Sequence, residues 1–91
     1  MKKPAFTTQF EKDMKLAEKQ QKDITKIKAI MFDLICENPL PPKHNDHPLI
    51  GNYKGHRECH IEPDWLLIYR NEGKEDIHFV RNGSHSELYR T

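Results

Sequence analysis

Pro39, Pro41 and Pro42 divide the chain into two halves with different periodicities. Proline lacks a backbone N–H and disfavours helical geometry in the residue before it, so no helix runs through this point. On the N-terminal side, Phe6, Phe10, Met14 and Ala17 recur at spacings of four, four and three, which is one face of a helix. Ile24, Ile27, Ile30, Met31, Leu34 and Ile35 continue the pattern after Asp23, a suitable N-cap, and this second helix should stop near Asn38. On the C-terminal side the period changes to two. Arg57 to Glu62, Trp65 to Arg70 and Asp76 to Asn82 read as strands, with turns at Pro63-Asp64 and from Asn71 to Lys74. Helices followed by consecutive strands predict an α+β arrangement.

A chain of 91 residues holds one domain, residues 1–91, and buries only roughly 60 to 65% of its unfolded surface. With 35% apolar and 32% charged residues, the core must be thin and the solvated or partner-binding surface large. Lys and Arg total 15 against 14 Asp and Glu, so any contact with nucleic acid must come from local clustering of charge. MKKPAFTTQF lacks the unbroken apolar segment of a signal peptide, and no window approaches the roughly 20 apolar residues of a membrane span. The expectation is a cytoplasmic protein without a membrane partner, with Cys36 and Cys59 as reduced core residues.

Between the halves, Asn38 to Gly55 has no periodicity and is long for a connector in so small a domain. His44, Asp46, His47, Tyr53 and Lys54 mark it as a functional loop. Strand alternation then sorts the remaining residues. With Pro63-Asp64 as the turn, Cys59 falls beside Ile68 and Ile77, and Ile61 beside Leu66 and Phe79. That apolar face should receive the helices. The opposite face would carry Glu58, His60, Glu62, Trp65, Leu67, Tyr69, Asp76, His78 and Val80, a mixture that suits binding or reaction better than contact with solvent alone.

His56, Cys59 and His60 are spaced as zinc ligands on a helix would be. On a strand, Cys59 points away from the two histidines, and no second pair completes a ligand set, so no metal site is expected. A thiol on the core face is also a poor nucleophile. The other reactive groups are His47, His60, Asp64 and His85. Imidazoles titrate near neutral pH and suit proton transfer at both ends of a reaction. RNA cleavage needs such a set and no metal, because the substrate carries its own nucleophile, the 2′-OH. Each histidine taken singly also reads as an ordinary surface residue, and only convergence favours the chemistry. Lys12, Lys15, Lys19, Lys22 and Lys26 recur at spacings of three and four, either as a solvated helix face or as a salt-sensitive contact to phosphates.

DHPLIGNYKGHRECHIEPDWLLIYR, followed by RNGSHSELY, resembles the YafQ branch of the RelE toxin family, and FEKDMKLAEKQQKDITKIKAIMFDLI resembles its helical half. The combination of DHPL, HIEPDW and GSHSELY at these separations carries the likeness. It implies an α+β, RelE-like fold: two N-terminal helices on one face of a small antiparallel sheet, a three-stranded meander with room for a short N-terminal strand. It implies a ribosome-dependent mRNA endoribonuclease, the toxin of a bacterial type II toxin–antitoxin pair, without cofactor. The implied partners are a DinJ-like antitoxin of ribbon-helix-helix type, the ribosome and mRNA. The implied catalytic residues are His47, His60, Asp64 and His85, with His60 or Asp64 as base and His85 as acid. Trp65 and Tyr89 would stack on bases, Arg81 would meet the scissile phosphate beside His47, and Lys54 and Arg57 would contact RNA. The lysine stripe would touch the ribosome. Glu58 stands where Asp is familiar, His56 replaces a more usual aromatic, and Tyr89 stands where Phe is more frequent. Two other readings are a ParE-like gyrase poison, which would not need the four catalytic groups together, and a non-catalytic module that binds metal or antitoxin.

Overall fold

A computed structural model describes residues 1–89. The elements are β1 (Lys3–Phe6), α1 (Thr8–Lys19), α2 (Ile24–Ile35), β2 (His47–Pro48), β3 (Arg57–Glu62), β4 (Trp65–Glu72), β5 (Asp76–Gly83) and α3 (His85–Tyr89). Short 3-10 turns at Pro42–His44 and Gly51–Tyr53 interrupt the proline-rich loop. The α+β class and the three-stranded meander are as expected, but the sheet has five strands in the order β1-β5-β4-β3-β2. β1 is parallel to β5, and the other pairs are antiparallel. The additional strand, β2, is the histidine and proline of DHPL, and it sets His47 opposite Glu58.

Phe6 belongs to β1 rather than to the first helix, and its ring stacks on Phe79 at 5.6 Å. The helix starts two residues later, at Thr8, because Thr7 caps it. The threonine hydroxyl accepts the Phe10 N–H at 2.9 Å and donates to the Val80 carbonyl at 2.7 Å. Asp23 caps α2, as its position predicts, accepting the Thr25 N–H at 3.1 Å. Between the helices Gln21 turns left-handed at φ 59°, so the lysine stripe is not continuous. Lys22 lies over the Trp65 ring at 5.3 Å and Lys26 pairs with Glu62 at 2.9 Å, which leaves Lys12, Lys15 and Lys19 as the exposed, unbroken part.

The decisive departure is a bulge. Glu62 pairs with Trp65, but His60 pairs with Leu66, so Ile61 is an extra residue on β3, and Cys59 lies opposite Leu67 rather than Ile68. Slipping a strand by one residue turns every side chain on it to the other face. Trp65, Leu67 and Tyr69 therefore join Cys59, Ile61, Ile77 and Phe79 under Phe10, Ala17, Ile27 and Ile30, while Leu66 and Ile68 face away with Leu49, Tyr53, Val80 and Leu88. The slip brings the largest apolar side chains of β4 to the helices without moving Glu58 or His60 off the opposite face. It also corrects the expectation for Trp65. That side chain is 0% exposed and donates its indole N–H to the Asn82 carbonyl oxygen at 3.2 Å, so it is a core residue with no face open to a base.

Beyond Phe79, β5 has no β1 alongside, and α1 takes over that edge through buried Asp13. Its carboxylate accepts from Arg81 at 2.9 and 3.2 Å and from the Asn82 N–H at 3.1 Å. Among the described residues, no helix is long and apolar enough to cross a membrane.

Candidate active site

The sheet face turned away from α1 and α2 carries a row of imidazoles and carboxylates, and each is placed by local structure. Pairing of β2 with β3 sets His47 across from Glu58, and His47 Nε2 lies 3.0 Å from Glu58 Oε2. His60, two residues along β3 and so on the same face, has its Nε2 3.9 Å from that oxygen. The other carboxylate oxygen accepts the Tyr89 O–H at 2.5 Å. Glu58 is only 5% exposed, and a carboxylate this buried must be met by donors.

His85 arrives by a separate device. In GSHSELY the Ser84 N–H donates to Glu87 Oε1 at 2.8 Å and the Glu87 N–H donates to Ser84 Oγ at 3.2 Å, a reciprocal capping box that starts α3 and puts His85 at its first position. Gly83 leaves room for this box, since a side chain there would meet Glu87 Oε1 at 3.0 Å. Asp64, in the β3–β4 turn, accepts the His85 backbone N–H at 2.9 Å and faces His85 Nδ1 at 2.7 Å. Donation first from that backbone N–H and then from the ring holds the Asp64 carboxyl below its ordinary value. That contact occupies Nδ1 and leaves Nε2 as the nitrogen available to a substrate. The His60 and His85 rings meet edge to face at 5.9 Å. His47, His60, His85 and Asp64, the expected catalytic set, thus lie along one path, joined through a residue to which the sequence alone assigns no role, Glu58. The signal in the sequence is its place two residues before His60, which puts it on the same face of the strand.

The expected RNA contacts divide. Tyr89 is 40% exposed beside Glu58, with Tyr53 edge to face against it at 6.0 Å. Lys54 is exposed next to Tyr53. Arg81 is held on Asp13 through two N–H groups and also borders Tyr53. Arg57, by contrast, alternates with Glu58 and belongs to the helix side. Its Nε is 3.1 Å from Asp46, which also accepts the Tyr69 hydroxyl at 2.8 Å, so Arg57 pins the loop and does not enter the row. The zinc-like triplet comes apart. His56 Nδ1 is at the Tyr53 carbonyl, and Cys59 is sealed in the core, where burial pushes its thiol up to about 12. Among the described residues no three His, Cys, Asp or Glu side chains are grouped to hold a metal ion. A cleft of about 750 Å³ between α2 and the Pro42–His44 turn reaches the row at His60. His44 lines it, with its Nδ1 2.7 Å from the His60 carbonyl oxygen.

Comparison with known proteins places this fold, with its row of imidazoles on the face left free by the helices, among the small α+β toxins of bacterial type II toxin–antitoxin systems. More narrowly, the chain belongs to the family described as the bacterial toxin of type II toxin–antitoxin system, YafQ, whose model matches residues 2–90. It is 46% identical over 85 residues to the mRNA interferase toxin YafQ of Escherichia coli, covering 92% of this chain and 91% of that protein. The crystal structure of YafQ from that species superposes with a TM-score of 0.92 at 41% identity, covering 98% of this chain and 99% of the other. YafQ in the E. coli DinJ–YafQ complex gives 0.90 at 42% identity, with the same coverage.

Proposed function

We propose that this chain is an mRNA interferase, a toxin that cleaves mRNA in the ribosomal A site by metal-independent acid–base chemistry and so stops translation in the bacterial cytoplasm. The observation that carries the reading is His85, anchored on Asp64 through Nδ1 and set ring to ring with His60 at 5.9 Å. Two imidazoles so close, one oriented by a carboxylate, suit a reaction that removes one proton and delivers another. His60 takes the 2′-OH proton, the 2′-oxygen attacks phosphorus, the bond to the 5′-oxygen breaks, and His85 protonates that oxygen. The product is a 2′,3′-cyclic phosphate. Asp64 acts as the orienter of His85 rather than as the base. His47 meets the negative charge at phosphorus, helped by the donors of Arg81 that Asp13 leaves free.

Tyr89 and Lys54 supply contacts along the strand, and Lys12, Lys15 and Lys19 an electrostatic contact to ribosomal RNA. The ribosome presents the strand bent and unstacked, an orientation that so small a site cannot impose, so the free protein should cut naked RNA poorly. The relative crystallised with DinJ supports an antitoxin of that kind as the cognate partner.

Primer extension on mRNA after induction tests the reading. The wild-type chain should give discrete 5′ ends on translated messages and leave plasmid supercoiling untouched. His85→Ala should lower cleavage by about 10² to 10⁴-fold while keeping the same circular dichroism spectrum. Undiminished cleavage by that variant would remove His85 as the acid.

A further inference from the structure

Glu58 is where the polar contacts of the open face converge. Its carboxylate faces His47 from β2, His60 from its own strand and Tyr89 from α3. The Tyr89 hydroxyl occupies Oε1, which leaves Oε2 to the two imidazoles. His47 has both ring nitrogens engaged, Nδ1 at 3.1 Å from the Pro48 carbonyl oxygen and Nε2 at 3.0 Å from Glu58. With a carbonyl oxygen at one nitrogen and a carboxylate at the other, the ring is held in one orientation. A platform for a base needs only an aromatic ring. The hydroxyl of Tyr89 is superfluous to stacking, yet it makes the one contact of Glu58 that comes from α3.

We propose that Tyr89 is a positioning residue for the cleavage reaction. Its O–H fixes the Glu58 carboxylate, and through that carboxylate it holds the His47 ring in place at the substrate phosphate. The inference rests on the ribonuclease reading. Burial and the adjoining Glu58 charge raise the Tyr89 phenol, so it remains a donor throughout the neutral range. Tyr53 packs against the Tyr89 ring and leaves the hydroxyl to Glu58. The link ties the C-terminal helix to β2, and with it the two ends of the imidazole row to one carboxylate.

Tyr89→Phe keeps the ring and its contact with Tyr53 and deletes only the oxygen. On translating ribosomes its cleavage rate should fall about tenfold, the effect of one charge-assisted hydrogen bond, with KM unchanged. Once Glu58 is neutralised by Glu58→Gln, adding Tyr89→Phe should change nothing further.

A second measurement needs no activity. The NMR ring resonances of His47 should shift in purified Tyr89→Phe, shift further in Glu58→Gln, and be the same in Glu58→Gln with and without the tyrosine hydroxyl. His47 ring resonances that do not respond to Tyr89→Phe overturn the inference. So does wild-type cleavage by that variant, or a tyrosine effect that persists in the Glu58→Gln background. If the wild-type chain cleaves no mRNA while the His47 ring resonances still follow Tyr89, the ribonuclease reading fails and the link from Tyr89 to His47 stands.

Discussion

On the helix side of the sheet Trp65, Leu67, Tyr69 and Phe79 are 0 to 2% exposed and are held chiefly by close packing under Phe10, Ile27 and Ile30. On the other side His47, His60 and His85 stand partly in solvent and are held by directed contacts, to Glu58, to the same Glu58 and to Asp64. The two faces meet on β3, where Cys59 and Ile61 join the packed side and Glu58 and His60 the open one. Packing responds to volume and is indifferent to ionisation, whereas the open face responds to charge and proton position and depends little on volume. The two should therefore fail in different ways, one by unfolding and the other by losing chemistry from an intact fold.

The largest effect expected from breaking that contrast lies on the packed face. Trp65→Ala should destabilise the protein by about 3 to 5 kcal/mol, the range for a buried aromatic truncated in a core, read as a lower urea midpoint. It also tests the core assignment of Trp65, since a base platform at the surface would be lost at almost no cost in stability.

A smaller effect is expected at Asp64. Asp64→Asn keeps the shape of the turn and removes the charge beside His85. Cleavage should fall about 10 to 100-fold, as expected when a positioned acid loses the group that orients it, while the urea midpoint at neutral pH falls only by the small contribution of that exposed contact. The sign with pH follows from its lowered carboxyl. Folding favours the ionised form, so the contribution of the Asp64–His85 contact is present above the ordinary Asp value and disappears as pH falls through the lowered one. In Asp64→Asn that acid-dependent loss should be missing from the urea midpoint measured against pH. Its persistence would place the acid sensitivity on another carboxylate.

The smallest effect belongs to a third surface that is neither packed nor directed. Replacing Lys12, Lys15 and Lys19 together by Gln should leave stability and the chemical step nearly unchanged. It should weaken ribosome binding and flatten its salt dependence, with the slope changing by about one unit or less per lysine removed. A salt slope equal to that of the wild type would make the stripe an ordinary solvated face.

Much of this organisation is visible in the residues themselves. The change of period at Pro39 to Pro42 separates helices from strands because a helix and a strand put their apolar residues on one face at different spacings. Alternation along β3 already divides Glu58 and His60 from Cys59 and Ile61. GSHSELY holds its capping box within four residues, Ser84 to Glu87, although in the bare sequence His85 reads only as the residue after the last strand. Phe6 misled because a helical spacing continues one step past a threonine whose capping role depends on the Val80 carbonyl, 73 residues away in sequence.

By itself the sequence determined the element types, the chemistry of the groups available and the likeness to a toxin family, since these depend on local propensity and on residue identity. The tertiary structure alone decided which face β4 presents, because a single extra residue at Ile61 reverses all its side chains and no periodicity announces where a bulge will fall. It also decided the pairings that define the site. Asp64 meets His85 across 21 residues and Glu58 meets Tyr89 across 31, and such contacts exist only once the sheet has brought β3 beneath α3.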